Sequence, residues 1–153
     1  MPYISLISEM ERKLHAALKE LGMRHVSIHS HKRAILPTTD PPDVVLCTIQ
    51  KANQFINNLI EINQIGRLRT IVIDELHLIG DENRGYILEL LLTKLVYMKR
   101  DAPSLPMQIV AMSATFPNLE QVATWLSAEL YVTDFRPVAI REYIKIVGNQ
   151  TSF

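Results

Sequence analysis

The stretch TIVIDELHLIG, residues 70 to 80, decides the reading of this chain. Threonine, two isoleucines and a valine are strand formers, and four of them in a row suit a buried strand of a parallel sheet. The strand runs directly into two adjacent carboxylates, Asp74 and Glu75, and then a histidine, His77. In an open parallel sheet, ligands bind beyond the carboxyl ends of the strands, which is where this acidic pair falls. Two neighbouring carboxylates can divide two tasks. One holds a hydrated magnesium ion on the phosphates of a nucleotide, and the other polarises an attacking water.

Working outward, strands and helices alternate. YISLI (3–7) reads as a short strand, followed by a helix that Ser8 and Glu11 open as a capping box, with Met10, Leu14, Ala17, Leu18 and Leu21 on its apolar face. HVSIH (25–29) and VVLCT (44–48) read as strands on either side of the proline-rich loop LPTTDPPD (36–43), a segment unsuited to a sheet interior. Thr48 is placed to cap a helix whose apolar face is Ile49, Ala52, Ile56, Leu59 and Ile60. From Arg84 to Lys99 the pattern is apolar nearly all round, which predicts a helix sandwiched between layers. QIVAM (108–112) is a fifth strand, Pro117, Asn118 and Gln121 open a further helix, and LYVT (130–133) reads as a last strand. Strands spaced by helices imply right-handed βαβ units: an α/β fold with a parallel sheet and helices on both faces.

Composition narrows the function classes. The 153 residues suffice for one domain with a real core and not for two ordinary ones. Sixteen basic residues balance sixteen acidic ones, so no global field points to nucleic acid or membrane, and any polyanion contact must be local. A single cysteine, Cys47, excludes an internal disulfide and fits a reducing compartment. No run approaches the ~18 apolar residues of a membrane span. His25, His29 and His31 with Cys47 match no zinc-ligand spacing, so no structural zinc is expected. Tyr86, Tyr97 and Met98 read as core or interface filling, Trp125 as core, and the charges from Glu11 to Glu20 as a solvated helix face.

DELH (74–77) followed by MSAT (112–115) resembles motifs II and III of superfamily-two DExH helicases. The wider text CTIQKANQFINNLIE (47–61), VIDELHLIGDENRGYILELLLTKLVY (72–97) and QIVAMSATFPNLEQVATWLSAELYVTDFRPV (108–138), with PYISL at the start, is similar to the polymerase-theta type of repair helicase. The resemblance covers nearly the whole chain, with four motifs in family order.

The resemblance implies a partial RecA-like (P-loop NTPase) domain, the first of two in a helicase. Asp74 would bind Mg²⁺ through water, Glu75 would be the catalytic base for ATP hydrolysis, and His77 with Ser113, Ala114 and Thr115 would couple nucleotide state to domain movement. Motif Ia starts at Pro2, and the residues after it, Tyr3 and Ser5, would touch the backbone of a single strand. Motif Ib covers Thr48, Lys51 and Asn53, where a helix N-terminus meets a phosphate without net positive charge on the domain. Gln50 stands where these helicases usually carry glutamate. Arg84 and Arg136 match family positions at structural or domain junctions.

One element is missing. Gripping ATP takes a G-x-x-x-x-G-K-[ST] loop, and none of the five glycines, at 22, 66, 80, 85 and 148, is followed by lysine. The expectation is an interior slice of a helicase: residues 1–138 from the first RecA-like domain without its phosphate loop, and residues 139–153 leading to a missing second domain. The complete parent would use ATP and Mg²⁺, whereas this chain alone would bind neither tightly. Single-stranded or forked DNA is the expected partner, double-strand-break or fork repair the setting, and the nucleus the location. The alternative is a truncated, non-catalytic module that binds nucleic acid or a partner.

Overall fold

A computed structural model of the chain describes residues 4–28, 41–114, 117–133, 135 and 137–144. Eight elements follow one another: α1 (Ile4–Glu20), β1 (His25–Ile28), β2 (Val44–Cys47), α2 (Ile49–Glu61), β3 (Thr70–Ile73), α3 (Gly85–Asp101), β4 (Gln108–Ala111) and α4 (Leu119–Leu126). The strands pair in parallel, as the βαβ alternation requires. In one pair His25 faces Val44 and Ile28 faces Cys47; in the other Thr70 faces Gln108 and Ile73 faces Ala111.

The single continuous sheet expected from sequence is here two separate two-stranded pairs, β1–β2 and β3–β4, among the described residues. The first pair is covered on both faces. Val26, Ile28, Val45 and Cys47 pack against Phe55 and Leu59 of α2. His25, on the opposite side of the pleat, turns to α1, with Nε2 3.7 Å from Glu11 Oε1 and its ring edge-on to His15 at 5.4 Å. The second pair is covered on one face only. Ile71, Ile73 and Ile109 join the core under α2 and α3, whereas Val72 is 60% and Val110 38% exposed.

Three readings from sequence are corrected. Residues 4–7 are helical, not a strand, because Ile7, Met10, Leu14 and Leu18 continue one 3.6-residue stripe. Ile7 is fully buried and Leu18 nearly so. Local β propensity loses to that period. Ser8 therefore lies inside α1, not at its cap, and Ala17 and Leu21 are exposed. The outer face is solvated as expected: Lys13 pairs with Glu9 across one turn, and its hydrogen bond and charge hold the Glu9 carboxyl below the usual range.

Residues 130–133 form no strand. No described segment lies beside them to accept their backbone bonds, and an unpaired strand hydrogen-bonds to water instead. Tyr131 is accordingly 85% exposed.

α3 is not sandwiched. It buries Gly85, Leu88, Leu91, Leu92 and Leu95, a seam at i, i+3 and i+4 spacing, while Tyr86, Leu90 and Tyr97 on the other side are exposed and Met98 is half-buried. Trp125 packs against the core as expected.

The α2 face is nearly as read, with Phe55 in the stripe beside Ile49, Ile56 and Leu59, and Ile60 turned outward. Each such buried side chain contributes about 1.5–3 kcal/mol. Ile56 of α2 packs with Leu91 and Leu95 of α3 and with Met107, which fixes the two helices side by side over the β3–β4 pair.

Candidate nucleotide and nucleic-acid site

Asp74 and Glu75 leave β3 at its carboxyl end, and a 3₁₀ turn, Leu76–Gly80, follows. Main-chain bonds bind this turn to the neighbouring strand end: Met112 N–H donates to Ile73 O at 2.8 Å and Leu76 N–H to Met112 O at 2.9 Å. Leu76, at 4% exposure, anchors the turn in the core. The turn bends sharply because Glu75 adopts the left-handed conformation, with φ 58° and ψ 48°. A residue with a Cβ pays for that geometry, and such strain concentrates at functional sites.

Asp74 Oδ1 accepts the backbone N–H of Glu75 at 3.0 Å, and its other oxygen has no protein partner. One partly exposed carboxylate with a spare oxygen suits a magnesium ion that keeps several waters and takes its remaining ligands from phosphate oxygens. Among the described residues, no group of three His, Cys, Asp or Glu side chains encloses an ion. Any magnesium here would therefore share its ligands with a bound nucleotide. His29 and His31 lie outside the described residues.

His77 faces two partners with one atom. Its Nδ1 accepts the backbone N–H of Ala114 at 3.3 Å and lies 3.4 Å from Glu75 Oε2. The DELH turn and the SAT segment thus meet through an imidazole. Ser113 is exposed, its hydroxyl donating to Ala114 O at 2.7 Å. Thr115 lies outside the described residues. A shallow cleft beside this junction runs between His77–Asp81 and Pro117, Asn118 and Gln121 at the start of α4. There the helix opens at Asn118 without a side-chain cap, so the expected capping role of that turn is not realised.

The candidate strand-contacting residues divide. Pro2, Tyr3 and Arg136 lie outside the described residues, and Ser5 is exposed in the first turn of α1. Thr48 caps α2, its Oγ1 accepting Lys51 N–H at 3.4 Å, and is 8% exposed. Lys51 and Asn53, two positions apart, are ~200° apart around the helix and do not share one contact surface. Lys51 Nζ donates to Gln54 Oε1 at 3.2 Å. Asn53 turns to α3, where Lys94 Nζ donates to Asn53 Oδ1 at 2.8 Å and to Asn57 Oδ1 at 2.7 Å.

Arg84 stands at the N-terminus of α3, and its N–H donates to Asp81 Oδ1 at 2.8 Å, as does the N–H of Asn83 at 2.9 Å. Asp81 is therefore the residue that caps this helix. Gly85 is equally committed, since a Cβ there would stand 2.3 Å from Ile79 O. Sequence reading passed over Asp81, Gly85, Asn57 and Lys94. The one available signal was a lone lysine inside the apolar run ILELLLTKLVY.

Comparison with known proteins agrees with this geometry. The DEAD/DEAH box helicase family model matches residues 1–122. The chain is 44% identical to DNA polymerase theta of Mus musculus over 161 aligned positions, covering 97% of the chain and 6% of that protein. It is 36% identical to human Helicase POLQ-like, covering 95% of the chain and 13% of the relative. Against the ATP-dependent DNA helicase Hel308 of Thermoplasma volcanium the identity is 35%, over 92% of the chain and 20% of the relative. The chain thus spans a small part of the length of each of these relatives. No described helix is long and apolar enough to cross a membrane. With the acidic strand end, the SAT junction and the family match in agreement, the chain belongs to the DEAD/DEAH box helicase family.

Proposed function

We propose that this chain supplies most of the first RecA-like domain of a nuclear, ATP-dependent helicase that moves along single-stranded DNA at breaks or forks under repair. The observation that carries the reading is the junction of the Asp74–Glu75 turn with the Ser113–Ala114 segment through His77. It supplies a carboxylate pair for nucleotide chemistry and a direct mechanical link from that pair to the next strand.

In this reading Asp74 orients a hydrated magnesium ion, which when bound neutralises charge on the nucleotide's outer phosphates. Glu75 accepts the proton of the attacking water, and His77 reports the state of Glu75 to the Ser113–Ala114 segment. Thr48 and Lys51, at the start of α2, receive phosphates of the tracked strand. The phosphate-cradling loop is not among these 153 residues. Turnover is therefore expected of a protein that supplies that loop and a second RecA-like domain beyond residues 139–153, and not of this chain alone.

The test is DNA-stimulated ATPase of the full-length protein with Glu75 intact and as Glu75→Gln. Loss of a general base costs about 10²–10⁴ in rate, so turnover should fall at least a hundredfold while nucleotide binding survives. Wild-type turnover in Glu75→Gln would sink the assignment. Salt-sensitive binding of single strands by the 153-residue chain, with no nucleotide affinity in any longer form, would favour the non-catalytic binding module instead.

A further inference from the structure

Lys94 is partly buried in the middle of α3, and it reaches across 41 and 37 positions of sequence to Asn53 and Asn57 of α2. Its contacts are two neutral amide oxygens, and no carboxylate of the described residues lies within ion-pair distance. Removing a charge from water without a counter-charge is costly unless strong hydrogen bonds replace the water. The arrangement therefore needs an explanation beyond packing, since an apolar side chain at this position would join α2 to α3 at lower cost.

Chemistry fixes the amide orientation here. A lysine ammonium only donates, so both Oδ1 atoms must face it and both Nδ2 groups must turn away. The result is a flank of α2 that offers N–H donors beside an unpaired cation. The first turn of that same helix holds Thr48 and Lys51, and α3 begins immediately after the Leu76–Gly80 turn that follows the carboxylate pair.

We propose that Lys94 is a positioning residue for nucleic-acid contact: it sets the Asn53 and Asn57 amides with their donors outward and locks α2 to α3. The strand-contacting helix thereby keeps a fixed place relative to the nucleotide site. The proposal rests on the reading that α2 meets the DNA strand. Lys94 itself need not touch a phosphate.

The experiment is DNA-stimulated ATPase of the full-length protein, comparing wild type with Lys94→Met, Lys94→Arg and Asn53→Ala/Asn57→Ala, titrated with a single-stranded oligonucleotide at several salt concentrations. Lys94→Met should raise the DNA concentration for half-maximal stimulation by about tenfold, the factor that corresponds to one lost charge-assisted hydrogen bond. The maximal rate should stay within about twofold, because the contact is far from the reacting atoms. Lys94→Arg should recover part of the loss by keeping a charged donor, and the paired asparagine variant should not add to Lys94→Met.

A half-saturating concentration within twofold of wild type in Lys94→Met would overturn the proposal. So would a loss of about one unit in the slope of log affinity against log salt, the signature of direct phosphate neutralisation. If Lys94→Met does not fold, Lys94→Arg and the asparagine pair carry the same comparison. Wild-type protein without DNA stimulation would count against the helicase reading itself, an outcome distinct from failure of the Lys94 role.

Discussion

Ala114 N–H donates to Nδ1 of His77 at 3.3 Å, joining two residues 37 positions apart. The same nitrogen lies 3.4 Å from Glu75 Oε2. An imidazole nitrogen accepts only when it carries no proton, and it bonds a carboxylate only when it does. The two contacts are therefore alternatives, and His77 can serve the SAT segment or Glu75 but not both. His77→Ala removes both, and DNA stimulation of the parent ATPase should fall by about tenfold or more. His77→Asn keeps an acceptor oxygen near the Nδ1 position and should recover a measurable part. Equal activity of Ala and Asn variants would show that the acceptor is not what matters.

Gly85 has a packing role that can be tested without any nucleotide. Its ideal Cβ would stand 2.3 Å from Ile79 O and 2.9 Å from Ile79 C, both main-chain atoms that cannot rotate aside. Gly85→Ala must push α3 off the Leu76–Gly80 turn. Overpacking of this kind costs about 1–3 kcal/mol, enough to outweigh the ~1 kcal/mol that alanine gains over glycine inside a helix. Urea denaturation should show a lower midpoint. A raised midpoint would mean the turn yields easily.

Strands were legible wherever a short apolar run ends on a polar cluster: Val44–Cys47, Thr70–Ile73 and Gln108–Ala111 lie within one residue of the expected limits. The segments 3–7 and 130–133 carry similar residues but different surroundings. Ile7 is claimed by a helical stripe, and Leu130 to Thr133 have no strand beside them, facts that arise only from tertiary packing. The site divides the same way. Asp74, Glu75 and His77 are adjacent in sequence and could be read together, as could the SAT segment. The Lys94 contacts to Asn53 and Asn57, and the close approach of Gly85 to Ile79, depend on how helices and turns pack, which no spacing along the chain encodes.

Cys47 gives a prediction with a definite sign. Burial pushes its thiol above the ordinary range, because a thiolate loses hydration in an apolar setting. Below the unfolded value of about 8.5 both states keep the proton, and stability does not depend on this group. As the pH rises further, the unfolded chain releases its proton while the folded one holds it, so stability declines. Wild type should lose urea resistance between pH 8 and 10 faster than Cys47→Val does. Alkylation of native protein at pH 8 should be slow and should accelerate on unfolding. Rapid labelling of the native state would contradict the burial.

Glu75 should trade stability for function. Its left-handed backbone, φ 58° and ψ 48°, costs a residue with a Cβ about 1–2 kcal/mol. Glycine adopts it without strain but loses about 0.5–1 kcal/mol more chain entropy on folding. The balance favours Glu75→Gly by up to about 1 kcal/mol, although the same change removes the carboxylate assigned to proton transfer. Glu75→Ala is the control, since it removes the charge beside Asp74 yet keeps the Cβ. A gain in both variants would trace to relief of charge repulsion, whereas a gain in Glu75→Gly alone would trace to the backbone. Thermal or urea unfolding of the three proteins separates the two. Strain at this position would then belong to the device that aims Glu75 away from β3 and toward His77, held in place by the Leu76 and Met112 main-chain bonds.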